Sequence, residues 1–368
     1  MKYYIISGEA SGDLHGSNLM REIKNQDTQA EFRFWGGDLM AEQGGELIKH
    51  YRELAFMGFI EVLMNIRTIS KNLKFCKQDV LDYQPDALIL IDYPGFNLRI
   101  AEFAKEQGIA VHYYISPQVW AWKQSRVKKI RRDVDRLYCI LPFESEFYKK
   151  HDYEVEFVGH PLIDAIALDS QNENFRKDNS LTEEPIIALL PGSRKQEITK
   201  MLQEMVKMKS HFSTYQFVIA GAPSQELSFY TALVGEEVSI VHNQTYDLLQ
   251  HAEAALVTSG TATLETALFN VPEVVCYKGS WISYQIAKRL IKIDYISLVN
   301  LIMDQETVTE LIQAEFNEAR LLEELLQVVE GGSKRMKMLS DYEILATKLG
   351  GEGASKRTAE LIVESIKR

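Results

Sequence analysis

The sequence predicts an α/β protein with two domains, each a doubly wound sheet of parallel strands covered by helices. Three observations lead to this prediction. Apolar strand candidates alternate with helical patterns from end to end, as the crossover connections of parallel sheets require. The 368 residues, 46% of them apolar, suffice for two ordinary cores. A polar stretch, DSQNENFRKDNSLTEEP, interrupts the alternation and predicts the boundary between the domains.

The strand candidates form two sets on either side of that stretch. The first set comprises residues 3–6, 32–35, 87–91, 110–115 and 137–141, and the second comprises 186–190, 217–220, 254–257 and 274–277. We therefore predict a first domain at 1–165, a second at 166–350 and a C-terminal helix at 351–368 that packs on a domain surface. Because ligands bind at the carboxyl ends of strands in such sheets, two facing domains predict a cleft there.

The composition argues against several classes of protein. An excess of 52 acidic over 41 basic residues gives a net charge of −11, which argues against bulk nucleic acid as a partner. The three cysteines lie outside any C-x-x-C pair, so neither a disulfide framework nor a zinc site is predicted, and a reducing cytoplasm is expected. The N-terminal apolar run is too short for a signal peptide, and no run approaches the ~18 to 20 residues of a membrane helix. A soluble or peripheral protein is expected.

In the second domain, the strand in IIALLPGSR (186–194) runs straight into a Gly-Ser turn that is followed by an arginine. A helix predicted from Lys195 onward would direct backbone N–H groups, together with Gly192, Ser193 and Arg194, to the place where a phosphate binds. An ordinary connecting turn explains this segment equally well when it is considered alone.

A second turn of this kind, TSGT (258–261), joins the strand candidate 254–257 to a helix that begins at Thr261. Ser259, Gly260 and Thr261 would form its anion-binding part. Two such turns in one domain favour a nucleotide diphosphate as the ligand, although the chain has neither a Walker loop nor G-x-G-x-x-G. Glu265, one turn into the helix, can accept both hydroxyls of a ribose, and the alternative is a surface glutamate that stabilises the helix.

Carboxylates follow two predicted strands of the first domain. Glu9 lies in SGEASGD (7–13) after the first strand, and Asp13 in the same segment is predicted to cap the helix that follows. Asp92 ends the strand 87–91 before a Pro-Gly turn and is well placed to act as a general base. The alternative for Asp92 is an aspartate that starts a turn. Asn97 is expected to orient this loop.

Trp120 and Trp122 precede a predicted amphipathic helix at 126–137. The polar face of this helix carries four bases, Lys128, Lys129, Arg131 and Arg132. Tryptophans beside clustered bases suit the surface of an anionic membrane, and the alternative is two core tryptophans with a solvated helix face. The D-x-D at 133–135 lies at the end of this helix, so we expect both acids to pair with neighbouring arginines and predict no metal site.

Nine segments together resemble the lipid-A-disaccharide synthases, which are bacterial glycosyltransferases of the GT-B type with two Rossmann-like domains facing across a cleft. The segments are SGEASGD (7–13), AFMGFIEVL (55–63), LILIDYPGFN (88–97), YYISPQVWAWKQSRVKKI (113–130), LPFE (141–144), FVGHPLID (157–164), LLPGSR (189–194) with Glu197, SGTATLE (259–265) and KIDYISLVNL (292–301). Gly95 is a departure, because many members carry an aspartate there. The departure concerns the shape of the loop, since Asp92 is present.

The resemblance implies an inverting transfer of 2,3-diacylglucosamine from UDP-2,3-diacylglucosamine to 2,3-diacylglucosamine 1-phosphate. The products are the β-1,6-linked lipid A disaccharide 1-phosphate and UDP. The implied roles are a base or essential carboxylate at Asp92, a second acid at Glu9, a nucleotide site at Gly192, Ser193, Arg194 and Glu197, a pyrophosphate cradle at Ser259, Gly260 and Thr261, a ribose ligand at Glu265 and a further nucleotide-side residue at Asn300.

The resemblance also implies that no cofactor or metal is needed, because the UDP-sugar is a substrate. Acylated substrates imply a cytoplasmic protein held peripherally on the inner face of the bacterial inner membrane, with anionic lipid as a partner. Assembly into a homodimer is left open. The alternatives are an enzyme like UDP-N-acetylglucosamine 2-epimerase on the same fold, and a nucleotide-sugar-binding protein without activity. The acids Asp92 and Glu9 at strand ends argue against the last of these.

Overall fold

The computed structural model describes residues 1–54, 66–121, 124–169, 172–235, 238–279 and 294–367. The chain divides into two units. Unit 1 comprises Met1–Ala167 with Leu349–Arg368, and unit 2 comprises Leu168–Lys348. The segment AFMGFIEVL and Trp122 lie outside the described residues, as do the first two residues of KIDYISLVNL.

The described part of unit 1 holds a parallel sheet of seven strands in the order β3-β2-β1-β4-β5-β6-β7. The strands are β1 Lys2–Ser7, β2 Glu31–Gly36, β3 Glu46–His50, β4 Ala87–Ile91, β5 Ala110–Tyr114, β6 Arg136–Cys139 and β7 Glu156–Phe157. The helices are α1 Ala10–Gln26, α2 Asp38–Glu42, α3 Ile66–Tyr83, α4 Pro94–Glu106, α5 Val127–Asp133, α6 Pro142–Lys149 and α7 Pro161–Ala167. Every residue of β4 is buried, as expected for a central strand with helices on both faces.

Unit 2 has a parallel sheet of six described strands in the order β10-β9-β8-β11-β12-β13. The strands are β8 Ile186–Leu190, β9 Gln216–Gly221, β10 Ser239–His242, β11 Ala252–Thr258, β12 Glu273–Tyr277 and β13 Thr309–Ile312. The helices are α8 Phe175–Asp178, α9 Lys195–Met205, α10 Leu227–Val234, α11 Thr245–His251, α12 Thr261–Leu268, α13 Leu298–Met303, α14 Glu318–Val328 and α15 Arg335–Lys348.

Both sheets reverse their strand order beside the first strand of the unit. In unit 1 the reversal lies between β1 and β4, where Ser7 pairs with Ile91. In unit 2 it lies between β8 and β11, where Leu190 pairs with Val257. Ligands of doubly wound sheets bind at such reversals, outside the carboxyl ends of the strands. All the loops predicted to carry carboxylates or anion-binding turns begin at one of these four strand ends.

The helix predicted at 126–137 is shorter in the structure. It ends at Asp133, where the Val134 N–H still donates to the Ile130 carbonyl at 2.9 Å. Leu137 belongs to strand β6, so its burial comes from the sheet. The helix prediction was therefore wrong beyond Asp133, because the apolar spacing of a buried strand continued the helical pattern.

The chain ends in helix α16, Ala354–Lys367, which packs against α1 in unit 1. The Asp164 carboxylate accepts the backbone N–H groups of Gly353 at 2.6 Å and Ser355 at 2.9 Å. Arg357 donates to the carbonyl of Val158 at 2.8 Å. These bonds attach the end of the chain to the segment before and within α7. In the described part of the chain, no helix combines the length and apolarity that crossing a membrane requires.

Candidate functional site

A cavity of about 420 Å³ lies in unit 2 at the carboxyl ends of β8 and β11. Eight of the nine predicted nucleotide-side residues line it, namely Gly192, Ser193, Arg194, Glu197, Ser259, Gly260, Thr261 and Glu265. Its other lining residues are Leu190, Ala220, Ala222, Pro223, Thr245, Thr258 and Ala262. The two turns are thus brought to one cavity although they are more than sixty residues apart in the sequence.

The first turn places a cation beside the beginning of α9. Gly192 has a φ of 99°, which favours glycine, and a Cβ there would lie 3.2 Å from Glu197 Oε2. Arg194 precedes α9, and its Nη1 lies 3.2 Å from Glu197 Oε1. No described side chain caps the N-terminus of α9. The first N–H groups of the helix and the exposed guanidinium therefore favour an anionic ligand.

The second turn is held by backbone carbonyls. The Ser259 hydroxyl donates to the Ile296 carbonyl at 2.9 Å, and the Ser259 N–H donates to the Cys276 carbonyl at 3.2 Å. Gly260 precedes α12, which also has no described side-chain cap. Because its proton is already used, the Ser259 hydroxyl can only accept a further hydrogen bond.

Asn300 is the one predicted nucleotide-side residue that does not line the cavity. Its side chain is fully buried and makes four hydrogen bonds. The amide nitrogen donates to the Val308 carbonyl and to Glu310, and the amide oxygen accepts the N–H groups of Thr307 and Val308. These four bonds use the whole capacity of the amide. The nucleotide contact of Asn300 stays a prediction. The bonds in this structure connect the start of α13 to the segment at 307–310.

Glu310 connects Asn300 to the second turn. Its carboxylate accepts the N–H groups of Ile296 and Ser297, both at 2.9 Å. It also accepts a hydrogen bond from the side-chain amide of Asn300. Since the Ile296 carbonyl accepts the Ser259 hydroxyl, the chain of bonds runs from Glu310 to the turn that lines the cavity. No local pattern indicates Glu310, because its partners, two backbone N–H groups and the Asn300 amide, belong to another segment.

Glu265 lies on α12 at the cavity, half-buried. The hydroxyl of Tyr246 donates to its Oε1 at 3.1 Å. Burial raises the pKa of the Glu265 carboxyl, and the bond from Tyr246 opposes the rise. Sequence reasoning missed Tyr246, which approaches Glu265 from α11 and so becomes a neighbour only through the tertiary fold.

In unit 1, Asp92 and Tyr93 lie in a strained turn at the end of β4. Their φ angles are 43° and 48°, in the left-handed region that non-glycine residues rarely adopt. Asn97 Nδ2 donates to the Asp92 carbonyl at 2.7 Å, and the Tyr113 hydroxyl donates to the same oxygen. The Tyr93 ring lies against Gly8, where a Cβ would be only 2.4 Å from its Cγ. Asn97 thus holds the loop, as the sequence predicted.

The Asp92 carboxyl has a raised pKa. Burial is the main cause and the negative charge of Glu9 the second, and together they raise the pKa to about 6 against a smaller opposing effect of the Tyr93 N–H. Glu9 itself precedes α1 with an extended φ of −145° and is exposed. The structure therefore brings the two predicted acids of unit 1 close enough for their charges to interact.

Asp13 has a structural role that differs from the predicted one. It lies buried within α1, and its carboxylate accepts the N–H groups of Gly37 at 2.7 Å and of Leu39 and Met40 at 3.1 Å. It therefore caps α2, not the helix to which it belongs. The expectation was wrong because a local pattern cannot show which helix end lies next to a side chain.

The four bases Lys128, Lys129, Arg131 and Arg132 are exposed on α5, while Val127 and Ile130 are buried. Arg132 pairs with Asp133 at 2.6 Å and with Glu102. Asp135 pairs with Lys105, not with an arginine as expected. Among the described residues, no three His, Cys, Asp or Glu side chains form a group that could hold a metal ion.

Trp120 is half-buried and packs edge-on against Phe143, with ring centroids 4.9 Å apart. The described tryptophan of the pair is thus partly covered by its own unit, while the bases of α5 face solvent. Among the described residues of this region, the exposed side chains are therefore the bases of α5, and Trp120 is only partly exposed.

Comparison with known proteins supports one family over nearly the whole chain. A family model described as Lipid-A-disaccharide synthetase matches residues 3–366. A lipid-A-disaccharide synthase of Geobacter sulfurreducens is 37% identical over 373 residues, covering 98% of this chain and 96% of the relative. One of Syntrophus aciditrophicus is 38% identical over 373 residues, covering 99% and 97%.

Solved structures with a similar fold include those of proteins that are only 12% and 14% identical to this chain. A UDP-GlcNAc 2-epimerase from Neisseria meningitidis bound to UDP-GlcNAc has a TM-score of 0.66 at 12% identity and covers all of both chains. A glycosyltransferase of kitacinnamycin has a TM-score of 0.67 at 14% identity and covers 99% of this chain and 98% of that one. At such identities the likeness shows the fold alone. Together with the two parallel sheets, it confirms the predicted fold class.

Proposed function

The chain belongs to the lipid-A-disaccharide synthase family, and from this membership we propose that it transfers 2,3-diacylglucosamine from UDP-2,3-diacylglucosamine to 2,3-diacylglucosamine 1-phosphate. It is a disaccharide-forming glycosyltransferase. The family membership that the nine segments predicted is thereby confirmed. The epimerases share its fold, whereas the family match and the curated relatives point to the synthase.

The observation that carries the donor side of the proposal is the cavity of unit 2, where both predicted turns meet. Two helix N-termini and Arg194 border it and favour negative charge, which suits the diphosphate of a UDP-sugar, although the carboxylates of Glu197 and Glu265 also line it. When the bond from sugar to phosphate breaks, negative charge grows on the leaving UDP. Groups already fixed around that charge stabilise the transition state more than the ground state.

Unit 1 supplies the base in this proposal. Inversion at the sugar carbon needs a group that takes the proton from the 6-hydroxyl of the acceptor as it attacks. Asp92, whose pKa of about 6 leaves it ionised at neutral pH, is the better candidate, and Glu9 is the second. A base with a pKa near the working pH combines the correct charge with a useful driving force for proton transfer.

We propose that no divalent metal takes part, because Arg194 and the two helix N-termini already supply the positive charge that UDP departure requires. We also propose that the exposed bases of α5 hold the protein on anionic lipid at the inner face of the inner membrane. Both substrates carry acyl chains that favour a bilayer, so an enzyme at its surface meets them directly.

The test is an assay with the purified chain, UDP-2,3-diacylglucosamine and 2,3-diacylglucosamine 1-phosphate, in which UDP and the disaccharide are both quantified. We expect equal amounts of the two products, and no release of UDP when the acceptor is left out. UDP-GlcNAc without acyl chains serves as the second donor, and we expect neither transfer nor epimerisation at its second carbon. Epimerised UDP-GlcNAc without any disaccharide would contradict the proposal and favour the epimerase alternative.

A further inference from the structure

Thr258 is the last residue of β11 and lines the cavity between the two anion-binding turns. Only 6% of the residue is exposed. Its Oγ1 atom is buried and has no hydrogen-bond partner among the described residues. Buried hydroxyls almost always have a partner, because a hydroxyl that leaves water without regaining a bond is unfavourable. Because Thr258 lines the cavity, rotation about its Cα–Cβ bond can turn this hydroxyl towards a ligand atom that completes it.

The position of Thr258 favours an anionic partner. Its neighbour in sequence, Val257, pairs with Leu190 on β8, so Thr258 lies where both strands give way to their turns. The methyl carbon of Thr258 would be 3.6 Å from a Cβ on Gly192. The side chain is therefore packed against the first turn while its own backbone leads into the second. A ligand oxygen in this place faces two helix N-termini, which favour negative charge.

Hydroxyl chemistry then fixes the direction of the bond. The adjacent Ser259 has already given its proton to the Ile296 carbonyl. Thr258 has its proton available and can donate to an oxygen that carries negative charge, and such charge-assisted bonds are stronger than neutral ones. We infer that Thr258 donates a hydrogen bond to the diphosphate of the bound UDP moiety. This inference rests on the proposed function, because it assumes a nucleoside diphosphate in the cavity.

The test compares binding of UDP, UMP and uridine by calorimetry. The variants are Thr258→Val, which keeps the shape and loses the hydroxyl, and the pair Thr258→Ser and Thr258→Ala, which differ from each other in the hydroxyl alone. Thr266→Val is the matched control, because its hydroxyl donates to the Ala262 carbonyl within α12 and does not line the cavity. Kinetic assays of the same variants give KM for the UDP-sugar and kcat.

We expect Thr258→Val to weaken UDP binding by about tenfold or more and to leave uridine binding within about twofold. Thr258→Ser should bind UDP within about threefold of the parent and clearly better than Thr258→Ala. The thermal midpoint of unliganded Thr258→Val should equal or exceed that of the parent, because the variant removes a buried hydroxyl that lacks a partner. A purely structural hydroxyl would instead lower that midpoint. KM for the donor should rise in proportion to the UDP dissociation constant.

Undiminished UDP binding by Thr258→Val would overturn the inference. Equal losses for UDP and uridine would also overturn it, because the contact would then lie at the nucleoside. If Thr258→Val folds poorly, Ser and Ala variants that bind UDP equally well would overturn it. A parent chain that binds no UDP would refute both this inference and the proposed function. A parent that binds UDP and forms no disaccharide would refute the reaction alone.

Discussion

At the scale of single residues, Asp92 combines a left-handed backbone with a carboxyl of raised pKa. A strained φ persists only where the surroundings hold it, and here Asn97 and Tyr113 both bond to the Asp92 carbonyl. This turn fixes the carboxylate at the end of β4, partly buried and near Glu9. Strain and a shifted pKa at one residue are typical of a functional group.

We predict that Asp92→Asn lowers kcat by roughly 10² to 10⁴, because the amide keeps the shape and cannot accept the acceptor's proton. In the parent, activity should fall on the acid side with an apparent pKa of about 6, since only the ionised carboxylate is a base. Glu9→Gln removes a charge that raises this pKa, so the acid limb should move to lower pH. Rate profiles from pH 4.5 to 8 measure both effects.

UDP binding is the control for Asp92→Asn, because the cavity lies in unit 2 and should be unaffected. Turnover within a few-fold of the parent would assign Asp92 to turn geometry and leave Glu9 as the candidate base. An acid limb that stays in place in Glu9→Gln would show that the charges of the two acids do not interact in the working enzyme.

We predict that Arg194→Ala lowers kcat by about 10² or more, as expected when a donor to a growing negative charge is lost. The adjacent Lys195 is the matched control, since it is exposed and does not line the cavity. Lys195→Ala should retain turnover within about threefold. Steady-state kinetics with the acylated substrates measure both variants, and equal effects would refute a specific role for Arg194.

We also predict that EDTA leaves turnover within about twofold of the untreated enzyme. The physical reason is that fixed protein groups, not a bound cation, neutralise the leaving UDP in the proposed mechanism. The assay is run after dialysis against chelator and again after Mg²⁺ is added back. A loss in chelator that Mg²⁺ restores would contradict the proposal.

The sequence predicted the two turns of unit 2 that line the cavity, because glycines and hydroxyls at strand ends are local patterns. It could not predict Glu310, Tyr246 or the capping partner of Asp13. Each of these makes its hydrogen bonds to segments distant in sequence, so no spacing within a single motif reveals them. The sequence predicts Thr258 as part of a turn, whereas the missing hydrogen-bond partner of its hydroxyl is visible only in the folded structure.

At the scale of elements, all nine predicted strands exist, and the described strands that the sequence did not predict are β3, β7, β10 and β13. These are the edge strands of the two sheets. Central parallel strands are covered on both faces and so form apolar runs, which the sequence displays. Edge strands are shorter or partly exposed; β3 has no buried residue and β7 has only two residues. Their sequences therefore lack the apolar signal on which the prediction depended.

Helix α5 carries the prediction for membrane binding. We expect the double variant Lys128→Glu/Lys129→Glu to lose at least tenfold in affinity for vesicles that contain anionic lipid, since each base near the surface contributes about 1 kcal/mol. The parent should also dissociate from these vesicles at high salt, because screening shortens the range of the attraction. Sedimentation at low and high salt measures both effects.

The matched control is Lys356→Glu/Lys367→Glu, which makes the same change of charge on exposed residues of α16 in the same unit. It should bind vesicles within about twofold of the parent. Equal losses in the two double variants would mean that net charge alone governs binding, and unchanged binding in the α5 variant would make its bases a solvated helix face.

At the scale of the whole molecule, the chain returns at its end to the unit in which it began. The His160 N–H donates to the Leu349 carbonyl, and Asp164 caps the start of α16. No local pattern predicts which unit a C-terminal helix joins, because its contacts span nearly two hundred residues. Two buried histidines, His15 and His160, lie near this junction, and the charge of His15 contributes to the lowered pKa of His160.

These two histidines give unit 1 a predicted sensitivity to acid. Burial lowers the pKa of His15 to about 4 and that of His160 to about 3, from an ordinary 6.5. His160 Nδ1 accepts the Leu162 N–H at 3.2 Å, which requires that nitrogen to be unprotonated. As the pH falls, the histidines of the unfolded chain bind protons before those of the folded chain. The contribution of the two histidines to stability is therefore complete above pH 6.5. It then decreases towards the folded pKa values, by about 1.4 kcal/mol per pH unit for each histidine.

We therefore predict that the double variant His15→Asn/His160→Asn loses less stability than the parent between pH 6.5 and 5, a window in which most carboxylates stay ionised. Asparagine does not titrate, and its Oδ1 can accept the N–H that His160 accepts. Some slope should persist, because burial also lowers the pKa of His112 to about 4. The measurement is the thermal midpoint at steps of half a pH unit. If the midpoints of parent and double variant fall in parallel as the pH falls, other groups cause the loss of stability in acid.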